Sequence, residues 1–365
     1  MSEPRFGIWV PVYGPWGARH HPEEPEQASY AHAREVVVEA DQLGFKVALL
    51  AQHIINPVNH SYDQLETWSA AAALAEATHH IELMGAVKPF MFPPAVLAKM
   101  ALGIDAISRG RFTINLISGW YLPEMEQAGL PIRTHDERYK FSREWLQVVK
   151  ALWNGEKVTH HGDYFQIKGM QLRPTPVARP RPAVYLGGES EPARALAADE
   201  ADVYLINGRP VTLIREVVAD LRRRPRPSGV PLRFGMAGFV IARSTDGEAR
   251  QEFAHLKQLA APDDARELRK GVDPETVMFK TFAMAPRGLG SNGGTAAGLV
   301  GDYDTVAERI VEFFDAGIET FLLQFQPFKP EMYRFAEQIA PRVGDLLSVR
   351  AATFEKTLPG AEPAA

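Results

Sequence analysis

The sequence predicts a (β/α)8 TIM barrel, an α/β fold in which eight parallel strands alternate with helices. Eight short apolar runs alternate along the chain with longer amphipathic runs, and parallel strands need such helical crossovers. Gly44 and Gly317 each follow a helical pattern and precede a strand pattern, which is how a helix ends before a strand. An open doubly wound sheet is the alternative, but no GxGxxG motif follows the first strand.

The candidate strands are short, apolar and bounded by turn residues. They are 6–11, 47–51, 81–87, 112–117, 183–186, 203–206, 234–242 and 320–324. The helical patterns between them have apolar residues at a spacing of three and four. They include 27–43, 64–78, 95–108, 138–153, 192–198, 211–224 and 303–316.

The segment 111–124 (RFTINLISGWYLPE) is the most informative part of the chain. An apolar strand breaks at Ser118-Gly119 into Trp120-Tyr121. Polar and aromatic groups at the carboxyl end of a strand are how TIM barrels build their active sites. A buried strand followed by an ordinary loop fits the same pattern, so this segment alone leaves both interpretations open.

Two connections are longer than a minimal barrel needs, and we expect them as insertions after strands 4 and 7. Segment 154–182 contains a hairpin-like piece at 160–165, and segment 261–298 ends in a glycine-rich run. We interpret 261–298 as a mobile lid. Residues 1–355 are predicted to form a single domain, followed by a loose tail at 356–365.

Composition excludes several classes of protein. The chain has 365 residues, a net charge of −5 and no cysteine, which excludes disulfides and Cys-ligated metals and gives no electrostatic reason to bind nucleic acid or membranes. We expect a cytoplasmic protein, because neither a signal peptide nor an apolar span of about 18 residues is found. The histidine pairs match no HExxH motif, so we expect no metal.

Five segments, taken in barrel order, resemble the bacterial luciferase-like flavin-dependent monooxygenases. They are RFGIWVP, GRFTINLISGW, HDERY, GGES and LVGDYDTVAERI. Within that family the chain is most similar to the dimethyl sulfone monooxygenase and pyrimidine oxygenase groups. The resemblance implies a TIM barrel, reduced FMN supplied by a separate NAD(P)H-dependent reductase, and O2 activated on the flavin. It also implies a homo-oligomer, either a dimer or a tetramer.

Two residues have a physical signature of their own in addition to the resemblance. Asn115 is a polar side chain inside an apolar strand; an unpartnered buried amide costs about 1–3 kcal/mol, so it needs the backbone or a ligand as partner. Ser190 follows Gly188 and opens a helical run, an arrangement that serves as an N-cap or as an anion site. The resemblance implies that Asn115 contacts the flavin near the reacting oxygen and that Gly188 and Ser190 hold the FMN phosphate.

The resemblance also implies cofactor contacts for five further residues. Arg138 and Tyr139 of HDERY match residues around the ribityl phosphate, whereas Gln52, His53 and Glu124 match flavin contacts. His53 is in addition a candidate catalytic acid or base, because an unperturbed imidazole titrates close to neutral pH. Structural roles for a histidine at a strand end and for a loop glutamate remain open.

The candidate substrate-binding residues are Trp120, Tyr121, Phe239, Arg287 and Gln326. Trp120 and Tyr121 would close an apolar pocket. Trp120 is also a candidate catalytic residue. Alkanesulfonate monooxygenases resemble this chain but carry an Arg, a His and a Tyr where Ala237, Phe239 and Gln326 stand here. We therefore expect a small neutral substrate, an organosulfur compound such as a sulfone, cleaved at its C–S bond.

Three alternatives remain at the sequence level. The first is an FMN-dependent oxygenase of a nitrogen heterocycle, as in the pyrimidine oxygenases, although Ala86 stands where that group has a threonine. The second is an F420-dependent oxidoreductase on the same fold. The third is a non-catalytic flavin-binding protein.

Overall fold

The computed structural model describes residues 3–263, 271 and 288–357. Eight parallel strands close into a barrel, in the order β1-β12-β9-β8-β7-β4-β3-β2, which confirms the predicted TIM barrel and excludes the open sheet. The barrel strands are β1 (Arg5–Trp9), β2 (Val47–Leu50), β3 (Glu82–Val87), β4 (Phe112–Leu116), β7 (Val184–Gly187), β8 (Val203–Ile206), β9 (Arg233–Phe239) and β12 (Ile318–Gln324). Four further strands of the described residues lie outside the barrel: β5 (Val158–His161), β6 (Gln166–Met170), β10 (Ile241–Arg243) and β11 (Val300–Asp302).

Helices follow most barrel strands and cover the outside of the barrel. The longest of them, His135–Trp153, begins at a capping box in which Thr134 and Glu137 satisfy each other's backbone N–H groups. Its apolar residues recur at helical spacing and are buried, and Trp145 Nε1 donates to the carbonyl of Phe92 at 2.8 Å. Within the described residues, the α-helices are Tyr30–Gln42, Thr67–Ala77, Pro94–Ile107, Leu122–Gln127, His135–Trp153, Glu191–Glu200, Val211–Arg223, Asp246–Ala260, Tyr303–Asp315, Phe328–Arg334 and Ala340–Thr357.

The predicted seventh strand, 234–242, is in fact two strands. β9 ends at Phe239, and β10 leaves the barrel to pair in parallel with β11. The hydrogen bonds show the cause: the N–H of Val240 still bonds to the last barrel strand at Gln324, whereas that of Ile241 bonds to Leu299. Helix Asp246–Ala260 and the C-terminal helices were not predicted. A continuous apolar run hides such a change of direction, because both strands are buried.

Both predicted insertions lie where they were expected. β5 and β6 form an antiparallel hairpin after barrel strand 4, held by Glu144, which accepts from the backbone of Phe165 at 2.8 Å. After barrel strand 7, the segment 240–302 carries β10, a helix and β11. The part 288–298 of the predicted lid packs on the barrel, where the N–H of Gly208 donates to the carbonyl of Asn292 at 2.8 Å.

Two of the sequence predictions fall largely outside the described residues. Most of the predicted lid, including Arg287, lies there. Helix Ala340–Thr357 reaches two residues into the predicted tail, and residues 358–365 are not described. In the described part of the chain, no helix is long and apolar enough to span a membrane.

Candidate active site

A cavity opens at the carboxyl ends of the barrel strands. Its volume is about 1420 Å³, counting the open space at its mouth, which is ample for a cofactor and a small substrate. Residues that follow β2, β3, β4, β7 and β8 form its wall, together with aromatic side chains after β1. This is the rim at which TIM barrels carry their chemistry.

Asn115 lies on β4 between Ala86 of β3 and Tyr185 of β7, and it faces the cavity. The side chain is 4% exposed, and its Oδ1 has no hydrogen-bond partner in the described part of the chain. The hydroxyl of Ser118, three residues later on the same wall, is also buried without a partner. Unpaired buried polar atoms cost about 1–3 kcal/mol each, so these two atoms indicate a site built to hydrogen-bond a ligand.

Gly188 and Ser190 form a cradle between β7 and helix Glu191–Glu200. Ser190 is the N-cap, and its Oγ accepts from the N–H of Ala193 at 3.4 Å, which leaves the hydroxyl proton free for a ligand. Gly188 has a φ of +140° and leaves no room for a side chain, because a Cβ would lie 2.9 Å from the Cβ of Ala193. Close backbone approach at a helix N-terminus is the arrangement that binds phosphate.

Tyr139 reaches the same cradle, whereas the hydrogen bond given for Arg138 is directed at the backbone. The Tyr139 hydroxyl lies 3.1 Å from the place a Gly188 Cβ would take, and Tyr139 lines the cavity together with His135. Arg138 is buried, and its Nη1 donates to the carbonyl of Arg133 at 2.8 Å. Arg138 is not among the residues that line the cavity, and its predicted phosphate contact stays a prediction.

Three side chains, which we name the Lys88 cluster, meet beside the cavity: Lys88, Glu124 and His53. Lys88 Nζ contacts Glu124 Oε1, and His53 Nδ1 lies 3.2 Å from Glu124 Oε2 and 3.1 Å from Lys88 Nζ. The side chains of His53 and Lys88 line the cavity, whereas Glu124 is fully buried behind them. In this structure Glu124 therefore contacts the wall residues His53 and Lys88 rather than the cavity itself, and its predicted cofactor contact stays a prediction.

Burial and charge shift the pKa values of this cluster. Burial, together with the neighbouring Lys88 ammonium, lowers the pKa of His53 to about 4, so the imidazole is neutral near pH 7. Burial alone would raise the pKa of Glu124, but Lys88 and His53 outweigh it and bring the value to about 2. Burial lowers the pKa of Lys88, and the Glu124 carboxylate opposes that fall.

Gln52 and Trp120 complete the predicted residues that reach the cavity. Gln52 Oε1 accepts from the backbone N–H of Lys88 at 2.9 Å, which ties the ends of β2 and β3 together. The Trp120 ring stands edge-on to His53, with 5.4 Å between the ring centroids. Across the cavity, Trp16 packs edge-on against Trp9, and its Nε1 donates to the Trp9 carbonyl at 3.0 Å. The part of the cavity wall that these tryptophans form is thus apolar and aromatic.

Three predicted substrate residues do not reach the wall of the cavity. Tyr121 is buried and its hydroxyl bonds to His60 Nε2 at 2.6 Å. Phe239 is fully buried in the barrel core. Gln326 binds both backbone groups of Ala18 and the carboxylate of Glu24. Packing and hydrogen bonds inside the protein account for the position of each in this structure, and their substrate contacts stay a prediction. Arg287 lies outside the described residues.

The ionised groups on the described cavity wall are paired. Glu189 is contacted by the guanidinium of Arg209, as Lys88 is by Glu124. Asn207 and Asn292 bond to each other across the cavity wall at 3.0 Å. In the described residues, no three His, Asp or Glu side chains converge as a metal site. The site therefore presents dipoles and hydrogen-bond donors rather than a net charge.

Lys88 and Ser118 are the main wall residues that the sequence did not single out. Lys88 directly follows β3 and Ser118 lies two residues after β4, at the same rim as Gln52 and Asn115. That position was a usable signal, because strand ends at this rim point into the site. The partner of Lys88 was not readable, since Glu124 lies 36 residues further along the chain.

Comparison with known proteins gives a family and several relatives. The model of the luciferase-like monooxygenase family matches residues 5–320. An FMNH2-dependent dimethylsulfone monooxygenase from Pseudomonas putida is 30% identical, with 96% of this chain and 99% of that protein covered.

Solved structures share the fold at lower identity. Long-chain alkane monooxygenase has a TM-score of 0.77 at 19% identity, covering 94% of this chain and 92% of its own. An F420-dependent secondary alcohol dehydrogenase has a TM-score of 0.68 at 18% identity, covering 93% and 99%. The chain therefore belongs to the luciferase-like monooxygenase family, whose model spans most of its length.

Proposed function

We propose that this monooxygenase oxygenates a small neutral organosulfur compound, such as a sulfone, and cleaves its C–S bond. Its cofactor is reduced FMN, and as in two-component systems a separate NAD(P)H-dependent reductase supplies it. The support is the cavity chemistry together with the 30% identical dimethylsulfone monooxygenase. A homo-oligomer and a cytoplasmic location belong to the same proposal, and light scattering would test the first.

The residues of the cavity fit FMN. At the cradle, Gly188 has no side chain and lets a phosphate approach the backbone, and Ser190 begins a helix whose N-terminal N–H groups can bind the phosphate. The unpartnered Oδ1 of Asn115 can accept from a ring N–H, and the Ser118 hydroxyl can donate to a ring acceptor. Reduced FMN bound there would supply the two electrons that activate O2, while the aromatic wall excludes water.

The observation that carries the substrate assignment is the pairing of charges on the cavity wall. Lys88 is neutralised by Glu124 and Glu189 by Arg209, so no described wall residue offers a free cation to a sulfonate anion. Ala237, on the same wall, adds no polar group. A sulfone is neutral and has two oxygen acceptors, which suits apolar walls with a few donors.

Two other functions are distinguishable from this one. Ala86 lies on the wall beside Asn115 and offers no hydroxyl, which argues against the heterocycle oxygenation of the pyrimidine group. The fold itself is shared with an F420-dependent enzyme, so fold likeness alone does not select the cofactor.

The test is an anaerobic titration with photoreduced FMN, followed by an oxygen pulse with dimethyl sulfone, methanesulfonate or uracil present. We expect tight binding and the release of a sulfinate and an aldehyde from the sulfone alone. Turnover of uracil would favour the heterocycle function, and turnover of methanesulfonate would refute the neutral-substrate argument. Binding of reduced F420 in place of FMN would overturn the cofactor assignment, and flavin oxidation as in free solution would indicate a non-catalytic protein.

A further inference from the structure

The Lys88 cluster contains an imidazole, that of His53, in addition to the Lys88–Glu124 ion pair. Three ionisable side chains meet at one point beside the cavity, with 2% exposure for the Lys88 side chain, 0% for Glu124 and 7% for His53. In the described part of the chain, His53 makes its side-chain hydrogen bonds through Nδ1 alone. The imidazole lines the cavity, so its second nitrogen, Nε2, is the atom available to a ligand.

Each carboxylate oxygen of Glu124 already accepts one hydrogen bond from a donor other than His53. Oε1 accepts from Lys88 Nζ, and Oε2 accepts from the backbone N–H of Ile54 at 3.1 Å. Glu124 therefore does not need a proton from His53 to satisfy its two oxygens. The low pKa of Glu124 keeps it ionised at neutral pH, and an ionised carboxylate in contact with Nζ favours the protonated form of Lys88.

Lys88, by contrast, is short of acceptors. A protonated lysine has three N–H donors and no acceptor. Among the described residues, the only acceptors within reach of Nζ are Glu124 Oε1 and His53 Nδ1. If Nδ1 carried the imidazole proton, that proton would be directed at Glu124 Oε2 at 3.2 Å, and Lys88 would keep one acceptor in a fully buried place. If Nδ1 is bare, Lys88 donates to both acceptors, at the cost of a contact without a proton between Nδ1 and Glu124 Oε2.

We propose that Lys88 and Glu124 are positioning residues that hold His53 as the neutral Nε2–H tautomer, so that the imidazole presents a hydrogen-bond donor, and not a base, to the cavity. Glu124 fixes Lys88, and Lys88 donates to Nδ1. Because a neutral imidazole has one proton, that proton is then on Nε2. A donor of this kind matches a substrate that has acceptors only, such as a sulfone. This use of the donor rests on the proposed function, whereas the tautomer itself does not.

The experiment is nitrogen NMR on the full-length protein, uniformly or selectively labelled with ¹⁵N-histidine and free of flavin. Protonated and bare imidazole nitrogens resonate far apart, so the spectrum reports which nitrogen carries the proton. The signals of His53 are assigned by their loss in His53→Asn. We expect Nε2 to be protonated and Nδ1 bare at neutral pH, and a protonated Nδ1 in the wild-type protein would overturn the proposal.

Lys88→Met, which has a similar length and no charge, provides the second arm. With the ammonium removed, Glu124 is the remaining partner, and we expect Nδ1 to gain a proton that it shares with Oε2. His60, whose ring bonds to Tyr121 outside the cluster, is the internal control and should not shift. An unchanged, bare Nδ1 in a folded Lys88→Met variant would show that Lys88 does not set the tautomer. If that variant does not fold, the wild-type spectrum alone decides whether His53 is the donor tautomer, and failure of FMN binding would leave that result unaffected.

Discussion

Replacing Gly188 by alanine tests whether the cradle before helix Glu191–Glu200 holds the FMN phosphate. The backbone of Gly188 has a φ of +140°, a conformation that residues with a side chain rarely adopt. An added Cβ would lie 2.9 Å from the Cβ of Ala193 and 3.1 Å from the hydroxyl of Tyr139. The tyrosine can swing aside, but the Cβ of Ala193 is attached to the first turn of the helix, so the clash moves the helix itself.

The strain of the backbone costs about 1–3 kcal/mol in the folded state. The displaced first turn carries the N–H groups that would face the phosphate, and hydrogen bonds weaken with misalignment. We expect the affinity for reduced FMN to fall roughly tenfold to a hundredfold, which corresponds to about 1.4–2.8 kcal/mol. The free energy of unfolding of the flavin-free protein should fall by an amount similar to the strain.

The assay combines anaerobic titration of reduced FMN with urea unfolding of the flavin-free protein. Gly44→Ala is the matched control: its φ is +85°, no atom lies within 4 Å of an added Cβ, and it sits at a helix–strand junction away from the cavity. Gly44→Ala should lose stability and bind FMN normally. Equal FMN affinity for Gly188→Ala and the wild type would refute the phosphate assignment.

Two further predictions follow from Asn115 and His53. Asn115→Leu removes a buried amide oxygen that has no hydrogen-bond partner in the described residues, so urea unfolding should show a flavin-free protein that is more stable by about 1 kcal/mol. Reduced FMN should bind more weakly, and equal or tighter binding would contradict the flavin contact. The pKa of His53 is about 4 in the folded protein and 6.5 ordinarily, so proton uptake by the unfolded state lowers the free energy of unfolding by about 3 kcal/mol as the pH falls from 6.5 to 4. His53→Asn should flatten the pH dependence of urea unfolding in that window, and an unchanged slope would show that His53 is not held neutral.

The barrel was predictable because its signals are local. Apolar strands, amphipathic helices and glycines at helix ends repeat along the chain, and each is readable within a window of about 15 residues. The cradle at Ser190 was readable for the same reason, since a cap and its glycines are adjacent in sequence. Asn115 was readable because a polar residue in an apolar strand needs a partner.

The remaining site residues were not predictable because their environments are made by distant parts of the chain. Phe239 is the last residue of a barrel strand, a position at which side chains often line the cavity, but its ring is buried in the core. Gln326 follows the last strand, the correct rim, but its amide is used by Ala18, 308 residues earlier. Sequence position identified the rim in both cases, while tertiary hydrogen bonds and packing decided the direction of each side chain.

The ion pair of Lys88 and Glu124 is best understood through the imidazole that it touches. A buried ion pair gives little net stability, because desolvation of both charges offsets their attraction, and well-packed apolar residues are often as good or better. Stability alone therefore gives no reason to bury a lysine with 2% exposure at the wall of a neutral cavity. The pair does, however, cancel its own charge while leaving one directional N–H beside His53 Nδ1. A lone lysine would attract anions, and a lone glutamate would turn His53 into a base or a cation; together they fix where one proton lies and leave the cavity uncharged.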